Sequence, residues 1–237
     1  MGCATRIWGP FAWAFIHGLA MWLDKHKHDR KLAADVLGSF RYTMPCIYCR
    51  KSATGFMEDA LLNPKLIGHK SGSKTYREWA YRMHERVNKK LFFQDAKSNP
   101  ERLWSKWLGY QPKLSEVHYV SPARKVWLHL LMQYYAYVVC DYPNQDEPER
   151  LSAIQNMLMN IALLVQNVKL QSTINDFGLL PIGVDVNARL EYVHTLYKQM
   201  LPKFCCDDQN AFLVFCKSAI VGGCDGNKVD PTKVGCG

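Results

Sequence analysis

The sequence has no apolar run approaching the roughly 20 residues that a membrane-spanning helix requires, so no span is expected. It shows no signal peptide, because the charged start at Arg6 is not followed by a continuous apolar core and a small-residue cleavage site. Gly2-Cys3 is a possible acylation start, but Arg6 stands where myristoylation wants Ser or Thr. Strand-like alternation is almost absent and there is no internal repeat, which points to an all-α fold. Acidic residues are the minority, 21 against 30 Lys and Arg, for a formal charge of +9. That balance could serve nucleic acid, an acidic protein or an anionic cofactor. The basic residues are scattered, however, and the clusters at Lys25 to Lys31 and Lys89-Lys90 are short. No aromatic-interleaved basic stripe is present, so nucleic acid is not an expected partner. Cysteine is missing from residues 50–139, and neither a second CxxC nor an HxxxH pair occurs. A tetrahedral zinc site therefore lacks half its ligands, and no metal is expected.

What is present suits a globular chain of one large or two small domains: 237 residues, 48% hydrophobic. Residues 8–24 carry two helical stripes side by side, Trp8, Phe11, Phe15, Leu19 and Trp22, then Gly9, Trp13, His17 and Ala20. A second helix is expected from Arg30 to Tyr42, and a third from Cys46 to about Leu62, stopped by Asn63-Pro64. Residues 63–75 read as a loop. A fourth helix places Tyr76, Trp79, Met83, Val87 and Leu91 on one side, and Leu103 to Leu108 makes a short apolar helix or turn. Gln111 to Pro122 reads as a boundary, dividing a domain at residues 1–112 from a second helical domain at 121–237. Ser121-Pro122 starts a helix to about Cys140. The clearest period, Leu151, Ile154, Leu158, Ile161, Val165 and Val168, predicts one long helix. Asn175 to Asp185 reads as a loop, Asp185 caps a helix to about Leu201, and a short helix covers Asp208 to Ile220. Of nine cysteines, Cys205, Cys206, Cys216, Cys224 and Cys236 fall in the last 33 residues, beyond Cys3, Cys46, Cys49 and Cys140.

Three separated pieces carry chemistry. The first is Cys46-Ile47-Tyr48-Cys49 after Pro45. At a helix N-terminus, unpaired N–H groups and the helix dipole stabilise a thiolate, and residues i and i+3 share a face, so the sulfurs can close a reducible disulfide. Alone, such a motif is also half a zinc site, a thioredoxin-like motif or chance. A thioredoxin-like fold would set a strand before it, where this sequence reads helical. The second piece is Trp8-Gly9 with Trp13 and His17, spaced by four along one face. Glycine admits close approach, tryptophan offers a flat surface and histidine a donor or acceptor, which suits a planar cofactor as well as an ordinary core helix. The third is His84, Val87, Asn88, Lys90 and Leu91, a group able to hold a nucleoside and a phosphate, or to form a plain solvated helix edge.

In order and spacing these pieces resemble the Erv/ALR family of flavin-dependent sulfhydryl oxidases. The family pattern is a WGxxxWxxLH helix, a CxxC, an HNxVNxKL helix and a Trp-rich short segment. Here they are Trp8 to His17 with Ile16 for Leu, Cys46 to Cys49, His84 to Leu91 with Glu85 for Asn, and Leu103 to Trp107. Met21 also replaces an aromatic common one turn after the histidine, and the extra structural disulfide of several cellular members has no counterpart. The resemblance covers about residues 6–110. It implies a four-helix bundle with a short fifth helix and non-covalent FAD. Trp8, Gly9, Trp13 and His17 would line the flavin, with Val87 and Leu91. His84, Asn88 and Lys90 would grip the adenosine and phosphate, and Trp107 would pack on the adenine. It implies catalytic Cys46 and Cys49, with substrate attack at Cys46 and Cys49 nearer the flavin, thiol-containing protein substrates, oxygen reduced to hydrogen peroxide, and a homodimer. The added C-terminal helices are similar to the layout of some members from large DNA viruses, which implies a place in the host cytoplasm and in the particle. Residues 121–237 are expected to supply no flavin contact and no obligatory thiol. The rival readings are a non-enzymatic helical interaction protein with an incidental CxxC, and a basic nucleic-acid binder.

Overall fold

A computed structural model of the chain describes residues 5–96, 125–140, 147–180 and 183–200. The described residues form eight α-helices and one short 3-10 turn, with no strand, so the fold is all-α. The helices are α1 Thr5–Lys25, α2 Arg30–Thr43, α3 Ile47–Phe56, α4 Tyr76–Ala96, α5 Lys125–Cys140, α6 Pro148–Leu164, α7 Val168–Phe177 and α8 Val186–Met200.

The two stripes of α1 meet two different neighbours. The large apolar stripe faces α5: Phe11 stacks on Tyr137 with ring centroids 6.1 Å apart, and Phe15 lies 5.1 Å from Trp127 and 6.0 Å from Tyr134. The stripe of Trp13 and His17 faces α4, where it meets His84. A helix apolar on one stripe and mixed on the next is buried on two sides, and α1 lies between α4 and α5. Phe15, Leu19 and Ala20 have no exposed surface. Cutting a buried phenylalanine such as Phe15 to Ala costs on the order of 3–5 kcal/mol.

Helix ends follow capping chemistry. Asp29 accepts from the N–H groups of Lys31 and Leu32 at 2.8 and 3.0 Å and starts α2. The first turn of α4 is capped twice. Asp24, near the C-terminal end of α1, accepts from the N–H groups of Tyr76 and Arg77 at 2.8 and 3.0 Å. Thr75 accepts from Glu78 N–H at 3.0 Å, and the Glu78 carboxylate reaches back to Lys74 N–H at 2.8 Å, a capping-box arrangement. The connection before α4 is tied in by Trp79, whose indole N–H donates to the Leu62 carbonyl at 2.7 Å. It also requires Gly72, because a Cβ there would lie 1.9 Å from the Leu66 carbonyl oxygen.

The expected third helix is shorter than its apolar pattern suggests. It stops at Phe56, just after Gly55, and the Asp59 carboxylate accepts from Leu61 N–H at 3.0 Å, turning the chain instead. The long period from Leu151 to Val168 likewise divides into α6 and α7. Gln166 adopts φ 53°, Asn167 accepts from Leu170 N–H at 3.0 Å as a fresh cap, and Val168 is 74% exposed rather than on the core face. Residues 175–177, read as loop, close α7, which ends at Gly178 with φ 82°. Asp185 caps α8 as expected, accepting from Asn187 and Ala188 N–H at 2.7 and 3.0 Å.

Buried residues from Trp8 to Met200 make one connected core. α5 packs on α1, α6 on α2, and α8 on α5. Between the α2 and α6 layers the buried Arg150 donates from Nε to the Tyr42 carbonyl at 3.2 Å. The expected helices at Leu103 to Leu108 and Asp208 to Ile220, the helix start at Ser121-Pro122, the junction between residues 112 and 121, and the five C-terminal cysteines lie outside the described residues.

Candidate functional site

The sequence Met44-Pro45-Cys46 leaves α2 and turns into α3. Cys46 is the N-cap of α3, with extended backbone, φ −158° and ψ 116°, and its Sγ accepts from Cys49 N–H at 3.3 Å. A sulfur in this position takes the place of a capping Ser or Asp oxygen and sits at the positive end of the helix dipole. Such a site favours the thiolate over the thiol. Arg50 in the first turn of α3 donates to the Met44 carbonyl at 2.8 Å and braces the approach to the motif. Cys46 is 4% exposed, whereas Ile47 and Tyr48 between the two cysteines are 48% and 68% exposed. Attack at Cys46, expected from the resemblance, therefore needs the cover over this sulfur to move.

Cys49 is half-buried and opens on a cleft of about 560 Å³, its open mouth included. Trp8, Ala12, Trp13 and Ile16 of α1 form one wall. Cys49, Ser52, Ala53 and Phe56 of α3 form another, and Val87, Lys90 and Leu91 of α4 a third. Met44 and Tyr134 complete the lining. The cleft is thus aromatic and aliphatic with one ammonium group, and Lys90 donates to the Ser52 hydroxyl. Such a lining matches a flat ring system carrying a negative tail.

His17 and His84 stand behind Trp13 rather than in the cleft lining. His17 Nε2 and His84 Nδ1 are 3.0 Å apart, and the Trp13 indole stacks on the His84 ring at 4.0 Å with 9° between planes. Burial pushes His17 down from 6.5 to about 4. Burial, with a smaller contribution from the charge of His17, pushes His84 down to about 3. Both rings are therefore neutral near pH 7, and in their hydrogen bond one N–H donates to the other ring's lone pair. His17 Nδ1 is buried and finds no hydrogen-bond partner among the described residues. A buried polar atom of this kind marks a place for a further donor or acceptor.

The structure thus brings Trp8, Trp13, Cys49, Val87, Lys90 and Leu91 together around one cleft. Gly9 is buried in α1, and Asn88 is half-buried on α4, four residues from His84. Neither lines the cleft. Trp107 lies outside the described residues. Ser52, Phe56 and Tyr134 were not among the expected site residues. Ser52 was findable, since it lies one turn beyond Cys49 on the same helix face. Tyr134 comes from residues 121–237, which were expected to supply no flavin contact, and no local sequence signal aims it at the cleft. No group of three or more His, Cys, Asp or Glu able to hold a metal occurs among the described residues. None of the described helices is long and apolar enough to cross a membrane.

The described helices thus place a helix-capping CxxC at the edge of an aromatic cleft. Residues 11–107 match the model of the Erv1/Alr family. That segment, which holds Cys46, Cys49, His17, His84 and Lys90, is similar to the Erv1/Alr family, whose members are in general FAD-dependent sulfhydryl oxidases. No curated protein and no solved structure matches the chain.

Proposed function

We propose that the protein oxidises pairs of thiols in other proteins to disulfides, using Cys46 and Cys49 as its redox pair and FAD in the adjoining cleft, with oxygen as the final acceptor. The observation that carries this reading is the position of Cys49, which shares a helix turn with the capping Cys46 and forms part of the aromatic cleft wall. A substrate thiolate attacks the Cys46 sulfur of the Cys46–Cys49 disulfide. The new bond joins substrate to Cys46, and Cys49 departs with the electron pair as a thiolate. A second substrate thiolate then displaces Cys46, so the substrate leaves as a disulfide and the pair remains as a dithiol. Bound in the cleft, FAD would supply the two-electron acceptor that restores the Cys46–Cys49 disulfide, with oxygen as the final acceptor and hydrogen peroxide as the product.

The residues present fit that cofactor. Trp8, Trp13, Val87 and Leu91 offer the apolar faces and Lys90 the charge for a phosphate. His17 has an unmet ring nitrogen, and His84 stacks on Trp13 beside it. Gly9 and Asn88 would support these groups from the same helix faces, and Trp107 is assigned to the adenine by resemblance alone. The test is direct. The purified full-length chain should carry a flavin absorption spectrum and consume oxygen when given dithiothreitol. A colourless protein inert to dithiol would favour the alternative of a helical interaction protein with an incidental CxxC.

A further inference from the structure

Tyr134 belongs to α5, outside the segment that matches the family, yet it lines the same cleft as Cys49. It is fully buried, with its ring 6.2 Å from Trp8 and 6.0 Å from Phe15. These contacts hold the ring against α1 and direct attention to its hydroxyl. The hydroxyl lies 3.5 Å from Thr43 Oγ1, at the end of α2 just before the Met44-Pro45-Cys46 turn. That distance is the long limit of a hydroxyl contact, and a good O–H···O bond is shorter by more than half an ångström. A buried phenol of this kind retains the capacity to donate elsewhere. Burial first, and negative charge on Cys49 in addition, raise the Tyr134 phenol above its ordinary value, against the Thr43 contact. The proton therefore stays on Tyr134 whenever Cys49 is charged.

We propose that Tyr134 is a positioning residue for Cys49: its O–H donates to the Cys49 sulfur when that sulfur is a thiolate, and its ring fixes the wall against which Cys49 packs. This rests on the thiol-oxidase reading above. In the first exchange step Cys49 is the leaving group. A donor at the departing sulfur stabilises the thiolate as the Cys46–Cys49 bond breaks and the substrate–Cys46 bond forms. No electron or proton passes to Tyr134. The helices added beyond the family segment thereby reach into its reactive centre through one hydroxyl group.

The titratable groups lining the cleft beside Cys49 are Lys90 from α4 and Tyr134 from α5; Cys46 from the turn before α3 accepts the Cys49 N–H, and Arg50 follows Cys49 along α3. The stretch of α1 lining the cleft carries Trp8, Ala12, Trp13 and Ile16, none of which titrates. The test uses the full-length chain with Cys46→Ala, so that Cys49 titrates without its partner, and follows alkylation of Cys49 by iodoacetamide against pH, read by mass spectrometry. Adding Tyr134→Phe should move the Cys49 profile to higher pH and slow alkylation near pH 7 about tenfold, the scale of a hydrogen bond to a charged group. With both cysteines present, Tyr134→Phe should slow dithiol oxidation while the melting temperature stays within a few degrees. Thr43→Val provides the second variant: it removes the competing acceptor and should move the Cys49 profile to lower pH. An unchanged Cys49 profile in Tyr134→Phe overturns the proposal, as does an upward shift in Thr43→Val. If the wild-type chain does not oxidise dithiols, or oxidises them equally well without Cys46 and Cys49, the reading of this pair as the redox centre of a thiol oxidase fails. If it does need them and the Cys49 profile ignores Tyr134, only this assignment falls.

Discussion

The two halves of the described molecule bury polar groups to different ends. In α1 to α4 several polar groups gather in or beside one cleft: Cys49 and Lys90 in its lining, Cys46 at the helix cap next to it, and His17 and His84 behind Trp13. In α5 to α8 they join helix to helix. Arg150 donates to the Tyr42 carbonyl at 3.2 Å, His129 Nδ1 meets the Tyr197 hydroxyl at 2.9 Å, and Arg189 donates to the Val139 carbonyl at 2.9 Å. In the first set Nδ1 of His17, behind the cleft wall, is buried with no hydrogen-bond partner among the described residues. The second set directs these donors to neighbouring backbone and side chains, while the buried Trp127 indole N–H has no hydrogen-bond partner among the described residues. An unmet buried atom does not by itself mark a functional site; what sets the first half apart is a cleft lined by a thiol and an ammonium group, and Tyr134 is a second-half residue that reaches the same cleft.

The largest effect expected from this contrast is at the cysteines. Cys46→Ser or Cys49→Ser should each reduce dithiol oxidation to background while flavin absorption persists, because in the proposed function the pair exchanges electrons and the cleft walls hold the ring. Near-normal turnover in either variant, measured by oxygen consumption, would remove the distinction between the halves. Next come the histidines. His17→Ala or His84→Ala should lose bound flavin and lower the melting temperature together, since a ligand held only by the folded state stabilises it by mass action. Stoichiometric flavin at an unchanged melting temperature in both variants would move the cofactor elsewhere.

A smaller effect follows from pH. Both histidines lie below their ordinary 6.5 in the folded state, at about 4 for His17 and about 3 for His84. Above pH 6.5 they are neutral in folded and unfolded chains alike, and their contribution is complete. As pH falls from 6.5 towards 4 the unfolded chain takes up protons that the folded chain refuses, so stability declines across that window. A His17→Gln/His84→Gln double variant should show a shallower decline in melting temperature over the same range. The smallest effect is expected from the other half: Ser at Cys140, Cys205, Cys206, Cys216, Cys224 and Cys236 together should leave dithiothreitol oxidation intact. A collapse of activity with fold and flavin preserved would place a second-half thiol in the electron path.

How far the sequence foretold this depends on the range of the interaction. The CxxC, the two stripes of α1 and the cap at Asp185 are local patterns, and each appears where its spacing indicated. The ends of α3 and α6 were misread because an apolar period continues past a break that a side chain creates. Asp59 turns the chain in one case, and Asn167 restarts it in the other. That the two stripes of α1 divide between α4 and α5 was beyond reach, as was the aim of Tyr134. Both depend on packing between residues more than sixty positions apart, which no periodicity encodes.

The cap that Asp24 places on α4 also behaves as an alignment pin. α1 ends where α4 begins, and the carboxylate clamps the two rods at that corner. From the pin, His17 lies seven residues back along α1, about 10 Å, and His84 lies eight residues forward from Tyr76 along α4, about 12 Å. The two arms differ by about one residue's rise, so the histidine rings arrive at nearly the same height and can meet. The tolerance is therefore set at a surface carboxylate remote from the cleft. A single residue inserted between His17 and Asp24 would lengthen one arm by about 1.5 Å and swing His17 by about 100° around the rod, parting the pair without touching either ring.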